Sequence, residues 1–433
     1  MDHMKSWGNY PKVASTSFII SETEKLRSFL NEIDEVITYG NGRSYGDSAL
    51  NTNMVCIKPK NYFLNFDETS GLLHIQAGAL LSEILEFFVP RGWFLRVSPG
   101  TKFITVGGAI ASDIHGKNHH IEGCFSESLV MFRLMLPNGE IVACSKTKNV
   151  ELFRATCGGM GLTGIILDAK LYLKRIGSRY IQQKTIKTRN LRETFEAFEM
   201  YSKQPYSVAW IDCLTKGKGM GKSLLMVGDF CDDGRLDFKQ KKKVNIPFYF
   251  PSFVLNSFSV KIFNTLYYNK AGNGVTEQKI DFESFFYPLD SLGHWNRIYG
   301  KNGFTQYQFI LPKENSYEGL EEILHTIAAS GKGSFLSVLK LYGKENENYL
   351  SFPMEGYSLA LDFKIEKGLF KLLDTIDGIV IKKGGRIYLA KDARIPRENF
   401  VRGYPKVENF RTLRKRYGMH EKFNSIQSKR LGI

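Results

Sequence analysis

SPGTKFITVGGAIASDIHGKNHH, residues 98–120, gathers four glycines, several small residues and three of the chain's eight histidines into one stretch. Gly100, Gly107, Gly108 and Gly116 remove side chains at short intervals, which a fold tolerates where the backbone bends sharply or lies against something bulky. After the glycine pair come Asp113, His115, Lys117, Asn118, His119 and His120, donors that would grip phosphates or line a reacting centre. The same residues would also make a tight, solvent-facing turn. The stretch alone does not choose between a site and a turn; the rest of the chain has to.

With 433 residues, 43% hydrophobic and 24% charged, the composition is that of a globular protein long enough for two domains with their own cores. A net charge of +15 attracts anions, whether nucleic acid, an acidic membrane surface or a phosphorylated substrate. No concentrated Lys/Arg stripe and no recognisable nucleic-acid module accompanies it, which argues against nucleic acid. Cys56, Cys124, Cys144, Cys157, Cys213 and Cys231 form no CxxC pair, so neither zinc-site spacing nor a disulfide framework is indicated, and a reducing compartment fits. The N-terminal MDHMKSWGNYPKV lacks the apolar core of a secretory signal, and no apolar run reaches the roughly 18–20 residues that span a bilayer. The expected location is cytoplasmic, or peripheral at the inner membrane. A basic run (Lys239, Lys241, Lys242, Lys243) followed by the aromatic IPFYFPSFVLNSFSVKIFNTLYY has two readings: a segment resting on a membrane, or a helix packed in the second domain behind solvated lysines.

Apolar runs between turn signals mark strands at EVITYGNG, LLHIQAG, ITVGGAIA, LVMFRLMLPNGEIVAC and GIILDAKLYL, with Asn138-Gly139 as a hairpin turn. SETEKLRSFLNEID and LSEILEFFVPRG carry helical spacing after a serine cap. Beyond about residue 180, YSVAWIDCL, FTQYQFILP and YSLALDFKI alternate in the manner of an antiparallel sheet with one face turned to a ligand or solvent. YEGLEEILHTIAAS and GLFKLLDTIDGIVIKKG are helices suited to the opposite face, and the tail after Gly385 is basic and helical. The class is α+β.

A second glycine cluster, YGNGRSYGDSAL at 39–50, joins Gly40, Gly42 and Gly46 to Arg43, Ser44 and Tyr45 as a nest for a pyrophosphate, without the following helix of a dinucleotide fingerprint. A third is CGGMGLTGII at 157–166. Three such loops in one mixed domain suit a large planar cofactor with a diphosphate, and a flavin dinucleotide fits. GKGMGKS at 217–223 is one residue short of a P-loop and reads as a lysine-rich turn. Adjacent His119 and His120 cannot readily share a face with His115, which argues against a metal. Lys391, in YLAKDAR, is either a surface lysine of a basic tail or a group held near a reacting alcohol whose pKa burial would lower.

Together GNGRSYGDSAL, SPGTKFITVGGAIASDIHGKNHH, CGGMGLTGII and YLAKDAR resemble the flavin-dependent decaprenylphosphoryl-β-D-ribose 2′-oxidase family of the vanillyl-alcohol-oxidase superfamily, with the likeness running from Trp7 to the C-terminus. The resemblance implies a two-domain fold: an FAD domain from residues 1–179 and 386–433, and an antiparallel-sheet substrate domain over 180–385. It implies FAD contacts at Gly42, Arg43, Ser44, Tyr45 and Gly46; at Pro99, Gly100, Thr101, Thr105, Gly107, Gly108, Ala109, Ser112, His115 and Asn118; and at Ile165, Tyr388 and Ala390. Lys391 and Tyr45 are implied to be catalytic, and Lys117, Gln306, Gln308, Lys340 and Lys391 to meet substrate. Superfamily members that link FAD covalently do so through a histidine in the first loop. Here Ser44-Tyr45 stands there, implying a noncovalent flavin, and Ala360 stands where mycobacterial members have a pocket cysteine.

The implied reaction is oxidation of the C2 hydroxyl of a polyprenyl-phosphate pentose to the 2-keto sugar. That is the first half of an epimerisation to the arabinose form used in cell-envelope glycans, completed by a short-chain reductase partner. Quinone or oxygen would accept the electrons. The alternative is a soluble sugar, alditol or aldonolactone oxidase using oxygen.

Overall fold

The computed structural model describes residues 4–238, 244–251 and 253–433, so the lysine run at 239–243 lies outside the described residues. Three sheets organise the chain. Parallel strands Thr16–Ile19, Asn53–Cys56 and Ile37–Tyr39 form a small sheet with Asn53–Cys56 at its centre. An antiparallel sheet runs Phe63–Asp67, Leu72–Gln76, Ile165–Arg175, Leu129–Met135, Ile141–Ser145, and Trp93–Leu95 pairs with the long strand Ile165–Arg175. Its hairpin turns at Asn138-Gly139, where Gly139 takes φ +78°, a left-handed value that suits glycine.

The third sheet has eight antiparallel strands in the order Val275–Asp281, Tyr180–Thr188, Ser223–Phe230, Tyr206–Ile211, Ser337–Tyr342, Gly356–Lys364, Phe304–Pro312, Arg386–Ile387. Side chains alternate between its faces. Phe309 and Tyr307 turn to helices Lys313–Ser330 and Leu369–Lys382, the Tyr307 hydroxyl donating to Asp377 at 2.7 Å, while Gln306 and Gln308 turn to a cavity. The mixed α+β architecture follows from this layering, helices on one face and cavity on the other.

Two local expectations are corrected. ITVGGAIA is not a strand: Thr105 caps a short helix, Val106–Ala111, its Oγ1 accepting the Gly108 N–H at 3.1 Å. The capping geometry of Thr105 overrides the β-branched run before it. The serine caps also fail, because Thr23–Glu32 and Leu81–Phe88 start after Glu22 and Leu80, and Ser82 lies inside its helix. GKGMGKS is a turn leading into the strand from Ser223, as expected.

The tail returns to the first sheets. Val36 donates its N–H to Lys422 O at 2.8 Å, and the guanidinium of Arg414, fully buried, donates to the carbonyls of Leu162, Met419 and Phe423 and to Oδ1 of Asn424. Asp113 ties the 98–120 stretch to the loop after Tyr342. Its Oδ2 accepts from Nδ2 of Asn346 and Asn348 at 2.8 Å each and from the Ser351 hydroxyl at 2.7 Å, and its Oδ1 from the Ser126 N–H at 3.1 Å. Asp113 pays for that reach with φ +38°. Asp113→Ala, which removes the shared acceptor of four donors, three of them buried, and keeps the strained backbone, should lower stability by about 3 kcal/mol in urea unfolding. Asp113→Asn, able to accept and tolerant of that backbone, should lose clearly less.

Candidate active site

A cavity of about 420 Å³ lies where the three glycine loops, the open face of the eight-stranded sheet and the YLAKDAR turn meet. The first loop leaves the strand Ile37–Tyr39. Among the described residues the N–H groups of Asn41, Gly42, Arg43 and Ser44 find no acceptor, and Gly42 bends the chain at φ +61°. Successive free N–H groups of this kind form an anion nest. Arg43 lies over the Trp7 ring at 4.0 Å with its Nε unpaired. Opposite, Pro99, Gly100 and Thr101 line the cavity, followed by Thr105, Gly107, Gly108 and Ser112. A Cβ on Gly40 would stand 2.6 Å from Thr105 Oγ1, so the two loops meet as closely as glycine permits. Asp290 holds the second loop open, accepting from the Thr101 hydroxyl and the Lys102 N–H at 2.8 Å each.

Four expected contacts lie off the cavity. Gly46 is needed for the tail, because its Cβ would stand 1.7 Å from the carbonyl oxygen of Asp392. Ala109 points into the core from the helix Val106–Ala111. Asn118 donates through Nδ2 to Arg96 O at 2.7 Å, bracing the loop from behind. Ile165 is core and its neighbour Ile166 lines the cavity, since adjacent strand residues face opposite ways. The remaining expected positions, Gly42 to Tyr45, Pro99 to Thr101, His115, Lys117, Gln306, Gln308, Lys340, Tyr388, Ala390 and Lys391, are all brought to its wall. Residues missed in the sequence include Met160, Gly161 and Trp295 on the wall and Asp362 just behind it. A visible signal existed for Gly161, in the third glycine cluster.

The polar end is built on strand alternation. Gln306 and Gln308, Val338 and Lys340, and Ser358 and Ala360 share one face, with Gln308 opposite Ala360 and Lys340 opposite Ser358. The three histidines diverge. His119 accepts the Gly343 N–H at Nδ1 and contacts Cys124 Sγ, and His120 Nε2 meets Gln204 O. At His115, burial and the nearby Lys340, His119 and Lys391 push the pKa well below its usual value. Gln308 Nε2 donates to its Nε2 at 3.1 Å, so the neutral ring carries its proton on Nδ1, which has no partner among the described residues.

Lys391 leaves the turn after Tyr388, and the Tyr45 N–H donates to Ala390 O at 3.0 Å, drawing the Lys391 ammonium to 3.7 Å above the Tyr45 ring. Burial lowers the Lys391 pKa against the opposing pull of Asp362, with Lys340 adding to the lowering. Burial likewise brings Lys117 down to about 7 and Lys340 down to about 8. Burial pushes the Tyr45 hydroxyl well up, so it stays protonated. A lysine poised to be neutral, a permanent phenol donor and two lysines that regain charge beside an anion equip the site to orient and deprotonate an alcohol.

A family model for the FAD binding domain matches residues 20–145. Over 99% of its length the chain is 33% identical to decaprenylphosphoryl-beta-D-ribose oxidase of Mycolicibacterium smegmatis, with 97% of that protein covered. The chain belongs to the decaprenylphosphoryl-β-D-ribose oxidase family. It is an FAD-dependent oxidoreductase of the vanillyl-alcohol oxidase type. Similarity to L-gulonolactone oxidase of Mus musculus, 25% identical, covers 39% of this chain and 38% of that protein. D-arabinono-1,4-lactone oxidase of Yarrowia lipolytica, also 25% identical, matches 39% of this chain and 34% of its own.

The residues present fit the family's FAD. The 41–44 N–H groups and the Arg43 Nε await acceptors, and no atom lies within 4 Å of where a Gly100 Cβ would stand. The protein's own packing does not require glycine there, and Gly100 borders the cavity. Gly100→Val should therefore fold with an unchanged thermal midpoint in the flavin-free form yet bind FAD at least about tenfold more weakly, about 1.4 kcal/mol, read from flavin absorbance on titration.

Proposed function

We propose that this chain oxidises the C2 hydroxyl of a polyprenyl-phosphate pentose of the decaprenylphosphoryl-ribose type to the 2-keto sugar, using noncovalently bound FAD. The observation that carries the reading is one cavity combining three chemistries: free N–H groups for a diphosphate, three lysines on its wall with Gln306 and Gln308, and an apolar wall of Val208, Trp210, Met226, Tyr267, Leu336 and Val338. A free sugar has no use for that wall, whereas an isoprenoid phosphate uses it together with the lysines. The whole-length relationship to an enzyme named for such a substrate supports the same choice over the lactone oxidases, whose similarity covers 39% of the chain.

In this reading residues 1–179 and 386–433 hold FAD, and 180–385 hold the substrate. Bound FAD supplies hydride acceptance. Lys391 takes the hydroxyl proton, Tyr45 donates a hydrogen bond that fixes the sugar, and Lys117 and Lys340 meet the phosphate. Ser44-Tyr45, in place of a linking histidine, leaves the flavin unlinked. The product would pass to a short-chain reductase that completes the epimerisation, with quinone or oxygen reoxidising the flavin.

A lipid-borne substrate also explains the helix Ser257–Lys270. Phe258 is 71% and Leu266 67% exposed, Phe248 and Phe253 are exposed just before it, and Tyr267 on the same helix reaches the cavity wall. No helix of the described residues is long and apolar enough to cross a membrane. The helix instead suits peripheral contact with an inner-membrane surface, reinforced by the chain's positive charge.

Anaerobic mixing with a prenyl-phosphate ribose should bleach the flavin, and a free alditol should not. Bleaching by the alditol alone would reverse the assignment. Lys391→Ala should keep its flavin and fold while reducing the single-turnover bleaching rate about a hundredfold or more, the usual scale for a removed general base. An unchanged rate would remove Lys391 from the chemistry.

A further inference from the structure

Asp362 follows Ala360 by two residues on the strand Gly356–Lys364 and so turns toward the same face. It is 1% exposed. Its Oδ1 accepts from Gln306 Nε2 at 2.6 Å, its Oδ2 from the Tyr299 hydroxyl at 3.3 Å, and its N–H donates to Ser334 Oγ at 3.0 Å. Gln306 stands on the wall of the main cavity with Tyr45 and Lys391. On its other side, Asp362 lines a second cavity of about 50 Å³ with Tyr299, Lys332, Lys364 and Glu366. A polar cavity of that size has room for water, for which roughly 10–15 Å³ suffices. Its rim reaches solvent, since the side chains of Lys332 and Glu366 are 24% and 39% exposed.

The charged and titratable groups around this carboxylate are Lys391 and Tyr45 on the inner side and Tyr299, Lys332, Lys364 and Glu366 on the outer side. Asp362 forms no direct ion pair with Lys391 among the described residues; the two interact through space, the carboxylate raising the lysine's pKa. A single carboxylate therefore separates the reacting end of the large cavity from a water-sized cavity open to the surface.

We propose that Asp362 is the second proton acceptor of the oxidation, passing the substrate's hydroxyl proton from Lys391 to the small cavity that Asp362 also lines. The inference rests on the chain acting as an FAD-dependent alcohol oxidase. The carbon-bound hydrogen leaves with its electron pair to FAD, the O–H bond breaks toward the neutral amine of Lys391, and the carbonyl forms. The ammonium gives that proton to the Asp362 carboxylate across a hydroxyl or water, which restores the amine. Water in the outer cavity then carries it to solvent. Without that outlet, the proton stays on Lys391 in the cavity it shares with Lys117 and Lys340.

The test follows anaerobic flavin reduction of the holoenzyme across pH, using whichever of a prenyl-phosphate ribose and a free alditol bleaches the wild type. The identity of that substrate tests the proposed function separately. Asp362→Asn keeps shape and can still accept from Gln306. It should retain FAD but lower the plateau rate at least tenfold, and added formate should restore most of the rate in Asp362→Ala. Three results would overturn the relay. One is an unchanged plateau with the acid limb merely moved to lower pH, as expected if the carboxylate only tunes Lys391. The second is a rate loss that formate does not restore. The third is loss of bound FAD from both variants, which would make Asp362 a framework residue.

Discussion

Everything at the reacting end depends on Arg430, three residues from the C-terminus, gripping two carboxylates from opposite ends of the chain. Its Nη2 lies 2.9 Å from Asp47 and 2.7 Å from Asp392, both nearly fully buried. Asp47 follows the first glycine loop and Asp392 follows Lys391, so the one guanidinium closes the ring that sets Tyr45 against Lys391. Gly46 allows the closure, since no side chain fits between that loop and the Asp392 carbonyl. Breaking such a pair leaves a buried uncompensated charge, at a cost of about 3–5 kcal/mol. A contact between residues this far apart in sequence is expensive to form, and the buried Arg414 and the Gln427 amide, which donates to Leu389 O at 2.8 Å, share the work of holding the tail down.

The second constraint is electrostatic. His115, Lys117, Lys340 and Lys391 line one cavity, and the carboxylate that acts on Lys391 is Asp362. Burial moves each of these bases toward neutrality. An arriving anion reverses that balance, so substrate binding and protonation of Lys117 and Lys340 become one event. Lys391 differs because Asp362 pulls its pKa the other way. In the proposed reaction the lysines divide by their neighbours: two would charge against a phosphate and one would exchange a proton.

How far the sequence could be read follows from the range of the interactions involved. The glycine loops, the Asn138-Gly139 hairpin and the alternation of FTQYQFILP and YSLALDFKI are local signals, and they survive into the structure. ITVGGAIA misleads because its β-branched residues precede a helix only six residues long, fixed by one Thr105 cap and by the Gly107 N–H, which donates to Ala77 O at 2.8 Å. Ile165 and Ile166 are indistinguishable as residue types, and only the pairing with Leu129–Met135 decides which one meets the cavity. Asn118 and Gly46 carry the family's string but serve it from behind. Asp362 was invisible for the same reason: its role arises from Gln306 lying directly opposite in the neighbouring strand, a register that no local pattern encodes.

Register also fixes what Ala360 means. It stands opposite Gln308 on one side and Val338 on the other, in the middle of the sheet face that lines the cavity. A thiol at this spot would face the reacting end, whereas a methyl offers no nucleophile. None of the chain's cysteines replaces it. Cys124 is turned toward His119 and Ser351, Cys213 toward Ser334 and Ser337, and burial pushes both thiols up, away from the reactive thiolate. No cysteine lines the cavity among the described residues, so a ligand there would be held by charge, hydrogen bonds and apolar contact without a covalent anchor to sulfur.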